Sequence, residues 1–248
     1  MPLNFYHMKV LFTEGDAYHQ TSMKRSGWLG RVRRAANRSP ILLGACVIVV
    51  LLVFPGIWLC IYGESFFSLT RRLPAEVLVV EGWIGNDGLR NAAAEFERGA
   101  YQYIVTTGGQ TWDRRSPSNY ADLAGQELIR LGVPQDRIII APTGEIEHER
   151  TFKSAVAAWR TLQFKGIHLQ ALNVFTLGVH ARRSRFVYAK VYAPATQVGV
   201  IAWTPSDSEA APWWRSSRRT KCFLKEIVKY PLEVLLNSGR TSNSPTAR

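Results

Sequence analysis

Cysteine is scarce: the 248 residues contain three, and two of them, Cys46 and Cys60, lie in one apolar run. Only Cys222 belongs to the remainder, so no disulfide can form within it. With neither a Cys-x-x-Cys pair nor a His/Cys cluster, a structural zinc site is excluded as well. Also missing are Gly-x-Ser-x-Gly, the Walker loop, Gly-x-Gly-x-x-Gly and His-Glu-x-x-His. The common hydrolase, nucleotide-binding and metalloprotease signatures therefore do not apply. Acidic residues are few: 19 Asp and Glu stand against 31 Lys and Arg, a net charge of +12. That excess invites anionic partners such as nucleic acid, lipid headgroups or phosphorylated molecules.

The position of the charge narrows the choice. Seven basic residues precede Ile41, and six of these crowd between Lys24 and Arg38. Beyond Tyr62 the 24 Lys and Arg are scattered among 17 Asp and Glu, with no nucleic-acid motif, so no nucleic-acid partner is expected. Residues 41–62 are 22 consecutive residues without a charge. As a helix they would reach about 33 Å, enough for a hydrocarbon core of about 30 Å. The run is too long for a cleaved signal peptide. Bulky Trp58-Leu59 before Cys60 and Ile61-Tyr62 after it do not fit a lipoprotein. One uncleaved transmembrane helix is expected, with Pro55-Gly56 tolerated inside it. The basic cluster on its N-terminal flank faces only Arg71 and Arg72, balanced by Glu64 and Glu76, on the other. The positive-inside rule then puts the N-terminus in the cytoplasm and the remainder outside a bacterial inner membrane.

The expected division is a basic cytoplasmic tail over 1–40, the span over 41–62, a linker over 63–76, a folded domain over 77–237 and a disordered tail over 238–248. The first 22 residues read as disordered tail, or as sequence preceding a start at Met23. Short apolar runs at 77–80, 103–106, 137–140, 172–177 and 198–203 are strands buried on both faces. They alternate with helical periods, first through Leu89, Ala92, Ala93 and Phe96, then over 120–131, opened by Ser116-Pro117 and closed by Gly132. A third helix carries Phe152, Ala155, Val156 and Trp159, a fourth follows Arg183, and a fifth, 220–236, is amphipathic through Phe223, Leu224, Ile227 and Val228, with a kink at Pro231. The fold class is α/β: a three-layer, Rossmann-like sandwich on a mainly parallel five-stranded sheet, preceded by one transmembrane helix.

In such folds ligands sit beyond the C-terminal strand ends. The segments there are Glu81-Gly82-Trp83, Thr107-Gly108-Gly109-Gln110, 143–151, 178–183 and 204–207, and all five are expected to converge on one crevice. Thr107, Gly108 and Gly109 offer backbone N–H groups to an anion, or simply form a tight turn. His180, Arg182 and Arg183, with Arg185, open a helix whose N-terminus favours an anion; alternatively these arginines face solvent or pair with Glu145, Glu147 and Glu149. Thr151 caps the third helix or bonds a ligand, capping being favoured. Glu145, Glu147, His148 and Glu149 read as a solvated face, and no metal is assigned. Trp213-Trp214-Arg215 and the basic run Arg218, Arg219, Lys221 and Lys225 make a candidate surface for anionic headgroups, or the two tryptophans are ordinary core.

The order of these pieces resembles the YdcF/SanA/ElyC family of bacterial envelope proteins over roughly residues 75–236. The matching elements are Thr106-Thr107-Gly108-Gly109 after a strand, Gly132-Val133-Pro134, Thr151 near a helix start with Ala155 following, Leu177 leading into His180-x-x-Arg183, and Arg90 with Ala94 and Gly99. Glu81-Gly82-Trp83 and Ser154 depart from the family, which often has a Gly-rich turn and an Asn there. The resemblance implies a Rossmann-like domain in cell-envelope or peptidoglycan biogenesis. The expected function is a single-pass inner-membrane protein binding an anionic, phosphorylated small molecule or lipid-linked envelope precursor. The alternative is a hydrolase or transferase on such a precursor, with His180 as acid or base and Glu81 as its partner. No particular cofactor is implied.

Overall fold

The computed structural model describes residues 15–111, 118–144, 148–205 and 212–241, with side chains from Pro40 onward except Ile41. The chain divides into two compact units, Met1–Trp58 and Leu59–Arg248. A single helix, α1 (Gly15–Phe67), contains Pro40 and Pro55. Its segment Leu42–Phe67 is long and apolar enough to cross a membrane. Large apolar side chains such as Leu43, Leu52, Phe54 and Ile61 are exposed along it. The helix starts inside the expected tail and runs beyond Tyr62 into the expected linker.

Five strands, β1 (Val77–Glu81), β2 (Tyr103–Gly108), β3 (Ile138–Pro142), β4 (Ala171–Leu177) and β5 (Gln197–Trp203), form one parallel sheet in the order β3-β2-β1-β4-β5. All five lie within two residues of the expected runs. Helices α2 (Gly85–Arg98) and α3 (Tyr120–Arg130) cover one face, α4 (Arg150–Phe164) and α5 (Ala181–Tyr192) the other. Strand side chains alternate between faces, which β1 displays directly. Val77 and Val79 join Phe152, Ala155, Val187 and Tyr188 in one core. Leu78 and Val80 join Leu89, Phe96, Ala124 and Leu128 in the other. The result is the expected three-layer α/β sandwich.

Caps differ from expectation in two places. Asn119 caps α3, its side chain accepting from Ala121 N at 2.7 Å, while Ser116 and Pro117 lie outside the described residues. Glu149, in the left-handed region at φ 59, precedes α4, so Thr151 lies inside the helix and is not its cap.

Residues 68–76 are part of the domain and not a spacer. Arg71 pairs with Val200 of edge strand β5 through hydrogen bonds of 2.7 and 2.9 Å, and Thr70 accepts from Ala202 N. Buried Asn173 of β4 accepts from Leu73 N at 3.0 Å and donates to Leu73 O at 2.8 Å. Arg72 forms a bidentate pair with buried Glu95 of α2. A Cβ at Gly199 would come within 2.0 Å of Asn173 Oδ1 and 2.6 Å of Arg71 O, so only glycine lets this strap lie against the sheet.

The last helix, α6 (Ser217–Leu235), is capped by Ser216, whose hydroxyl accepts from Arg219 N. Its inward face differs from the apolar one expected. Phe223, Glu226 and Glu233 are buried, whereas Leu224 and Val228 are exposed. Glu233 is held by Lys190 of α5 at 2.5 Å and by Arg240 at 2.9 Å, and Arg240 also pairs with Glu149. Arg240 lies in the stretch expected to be a disordered tail. On the same inner side, α6 meets the end of α1: Phe67 contacts Phe223 and Tyr230 edge-on, and Arg219 grips Glu64 at 2.6 and 2.8 Å.

Candidate functional site

The chain leaves β1 for β2 and β3, then crosses back to place β4 on the other side of β1. Connections diverge at the C-terminal ends of β1 and β4, which opens a crevice there by construction. It measures about 900 Å³. Ile84, Gly85 and Arg90 border it from the β1 side, Gly178 and Val179 from β4, Thr204 and Pro205 from β5. Arg215, Arg218 and Arg219 close it from α6 and the turn before it. Arg90 pairs with Asp87 and Arg219 with Glu64. Among the described residues no carboxylate pairs with Arg215 or Arg218. Both are exposed at the mouth.

Among the described residues, those directly after β2 and β3 do not line this crevice. They border a separate cavity of about 380 Å³ between Gln110, Asn119, Asp122, Pro142, Thr143 and Gly144. The expected single convergence is therefore divided between separate openings; Ser206, Asp207, Glu145 and Glu147 lie outside the described residues. Gly108 and Gly109 are there for close packing. A Cβ at Gly108, whose φ is +154, would come within 2.6 Å of Tyr120 Cβ, and one at Gly109 within 3.0 Å of Thr143 Oγ1. Thr107 is fully buried, its hydroxyl donating to Val80 O and lying 3.4 Å from the Tyr188 hydroxyl. Burial raises the Tyr188 pKa far above the ordinary phenol range, aided by the Glu81 charge. Tyr188 therefore stays a neutral hydrogen-bonding group at any working pH.

Beside the main crevice stands a polar cluster built from five elements. β1 supplies Glu81, α4 supplies Thr151, the turn Gly178–His180 and the start of α5 supply His180, Arg183 and Ser184, and α6 supplies Glu226. Glu81 is buried and accepts from Thr176 at 2.5 Å and from Ser184 at 3.0 Å. His180 Nδ1 is 2.7 Å from Glu226 Oε1, and its Nε2 is 3.3 Å from Thr151 Oγ1 and 3.7 Å from Glu81 Oε2. Arg183 donates to both oxygens of Glu226 at 2.7 and 3.0 Å and to Thr151 at 3.2 Å. Trp83 meets the His180 ring edge-on at 5.2 Å. Burial alone would raise the Glu226 pKa, but the charge and hydrogen bonds of His180 and Arg183 override it and bring the carboxyl down to about 2.

Of the residues singled out in the sequence, the fold thus brings Glu81, Thr151, His180 and Arg183 together. Thr107, Gly108 and Gly109 sit elsewhere, in packing roles. Arg182 is taken up by the end of α1, donating to Phe66 O at 2.5 Å with its guanidinium 3.8 Å over the Phe66 ring. Arg183 is not an exposed clamp, because its nitrogens are turned inward. Among the described residues no three His, Cys, Asp or Glu side chains assemble into a metal site. Glu226 was missed, as were Arg215 and Arg218 as crevice residues. The signal for Glu226 was a carboxylate three residues after Phe223, on the same helical face.

The fold and site define a five-stranded parallel α/β protein with one apolar N-terminal helix long enough to cross a membrane. No family model and no curated protein matches this chain.

Proposed function

We propose that the chain is a single-pass inner-membrane protein with an extracytoplasmic domain, whose switch-point crevice binds an anionic, phosphorylated envelope precursor in cell-envelope or peptidoglycan biogenesis. The observation that carries this reading is the pair Arg215 and Arg218, guanidiniums without a carboxylate partner among the described residues, at the mouth of a crevice where α/β folds hold ligands. The apolar helix supports a substrate class attached to or near lipid. The ordered motifs resembling the YdcF/SanA/ElyC family support the envelope setting. Full-length protein in detergent micelles should bind a polyprenyl monophosphate, and Arg215→Ala with Arg218→Ala should weaken that binding by roughly 1.5 to 3 kcal/mol per charge-assisted contact. Equal retention of the uncharged polyprenyl alcohol would refute the reading.

A second reading, an enzyme acting on such a precursor, draws on the 2.7 Å contact between His180 and Glu226. A carboxylate on Nδ1 orients the ring and leaves Nε2 as the working nitrogen, the arrangement used in acid–base catalysis. Glu81 then stands across from Nε2 as the second carboxylate. His180→Gln, with unchanged binding of the polyprenyl phosphate but lost complementation of a deletion strain, would favour catalysis over binding alone.

A further inference from the structure

Helix α6 has an outer face that nothing in the described structure covers. Leu224, Val228, Leu232 and Leu235 recur at i, i+4, i+8 and i+11, and they are 52%, 59%, 46% and 75% exposed, with Leu236 following at 75%. Spacing of three or four residues sets them in one stripe. Flanking the stripe are Arg218, Lys221, Lys225 and Lys229. The only two acids of the helix, Glu226 and Glu233, are buried and paired on the opposite side. The outer face is therefore apolar and cationic, without a single carboxylate of its own.

We infer that the outer face of α6 lies in the surface of an anionic bilayer, as an interfacial helix. An apolar stripe edged by lysines is the pattern of helices that lie in the headgroup layer, their lysines reaching anionic lipid while the leucines enter the acyl boundary. A second copy of the chain would not need that lysine edge. The lysines would instead meet their own kind across a symmetric interface.

Continuity with the span adds an independent argument. The uncharged run ends at Tyr62, and the residues directly after it are those that hold α6. A Cβ at Gly63 would come within 2.5 Å of the Phe223 ring, Glu64 pairs with Arg219, and Phe66 and Phe67 meet Tyr230. If residues 41–62 cross a bilayer, Gly63 and Glu64 stand at its surface, and α6 is fastened there with them. Trp214, 51% exposed just before α6, sits at the same end, where tryptophan prefers the headgroup level. Trp213, by contrast, packs against Phe223 with ring centroids 4.1 Å apart and belongs to the packing.

The inference rests on the proposed membrane reading, and the test separates the two. The full chain, with Cys46→Ser, Cys60→Ser and Cys222→Ser, is reconstituted into phosphatidylglycerol vesicles after one cysteine is introduced and labelled with an environment-sensitive fluorophore. Positions are Leu224→Cys, Val228→Cys and Leu232→Cys on α6, Val49→Cys within the apolar run, and Phe164→Cys at the end of α4. Quenching by spin-labelled lipid is read at each. The expected result is loss of emission at Val49 and at all three α6 positions with none at Phe164, and recovery of the α6 signals when Lys221, Lys225 and Lys229 are changed to Glu. Quenching at Val49 without quenching on α6 overturns the inference and leaves the span standing; no quenching at Val49 overturns both. Probes on α6 that are untouched by lipid but cross-link to one another between chains would assign the face to a second copy and also overturn it.

Discussion

The Nδ1 atom of His180 lies 2.7 Å from Glu226 Oε1, tying the turn after β4 to a helix 46 residues further along the chain. Arg183 completes this contact by donating to both oxygens of the same carboxylate. One buried glutamate thus neutralises a guanidinium and orients an imidazole, and α6 is held to the sheet layer by charge as much as by Phe223.

Removing that carboxylate leaves Arg183 buried without its counter-charge. Glu226→Ala should lower unfolding stability by about 3 to 5 kcal/mol, the usual cost of breaking a buried pair. Glu226→Met combined with Arg183→Met should recover most of the loss, because no lone charge remains. Denaturant titration of the detergent-solubilised chain checks both, and an equal loss in the double variant would contradict the assignment.

Acid should release the same contact in a defined window. The Glu226 pKa is depressed in the folded state to about 2 against an ordinary 4.5. A depressed carboxylate stabilises the fold above the unfolded pKa, and that stabilisation fades as pH falls from about 4.5 toward about 2. Unfolding midpoints recorded across this range should drop for the native sequence, by a part that is absent in Glu226→Gln. Parallel pH curves for the two proteins would contradict the prediction.

Gly199→Ala should be more disruptive than its chemistry suggests. The new methyl would meet Asn173 Oδ1 and the Arg71 carbonyl, both pinned, so the strap over 68–76 must move or β5 must shift. Overpacking of this kind costs about 1 to 3 kcal/mol. Gly239→Ala, with nothing within 4 Å, is the control and should be neutral. Limited proteolysis near Arg71 and Arg72 reports whether the strap has loosened.

The proposed orientation rests on charge placement alone. Six basic residues between Lys24 and Arg38 precede the uncharged run, so a reporter fused after Leu236 should be active only in its exported form. Activity of a cytoplasm-dependent reporter at that junction would reverse the topology.

The sheet was legible because its central strands β1, β2 and β4 are buried on both faces, and a short run such as Val77-Leu78-Val79-Val80 suits a strand sandwiched between two helical layers, whereas edge strand β3, expected to be buried on both faces too, leaves Ile140 exposed. Helix periods were legible because each of α2 to α5 buries one apolar stripe; α6 does not follow this pattern. There the periodic apolar residues Leu224 and Val228 face outward, while the inner face uses Glu226 and Glu233, whose burial depends on partners in α5 and beyond. A pattern that assumes apolar-in reads such a helix backwards. The strap over 68–76 left little trace because backbone groups of Arg71 and Leu73 make its bonds; the one clue was Asn173, an amide inside an apolar strand. Half the expected site assembled, since Glu81, Thr151, His180 and Arg183 sit where strand ends and helix starts meet. Thr107, Gly108 and Gly109 did not, because the same glycines that free a backbone for an anion also let α3 pack closely.

The grip between the end of α1 and α6 has a consequence for biosynthesis. Glu64 and Phe67 are made early, and their partners Arg219, Phe223 and Tyr230 only after some hundred and fifty further residues have been added. During translation the sheet can assemble strand by strand, yet His180, Arg183 and the end of α1 wait for α6 to emerge. Chains truncated before Arg219 by a stalled ribosome would carry an open flank and an uncompensated Arg183, and quality-control proteases could recognise them by it.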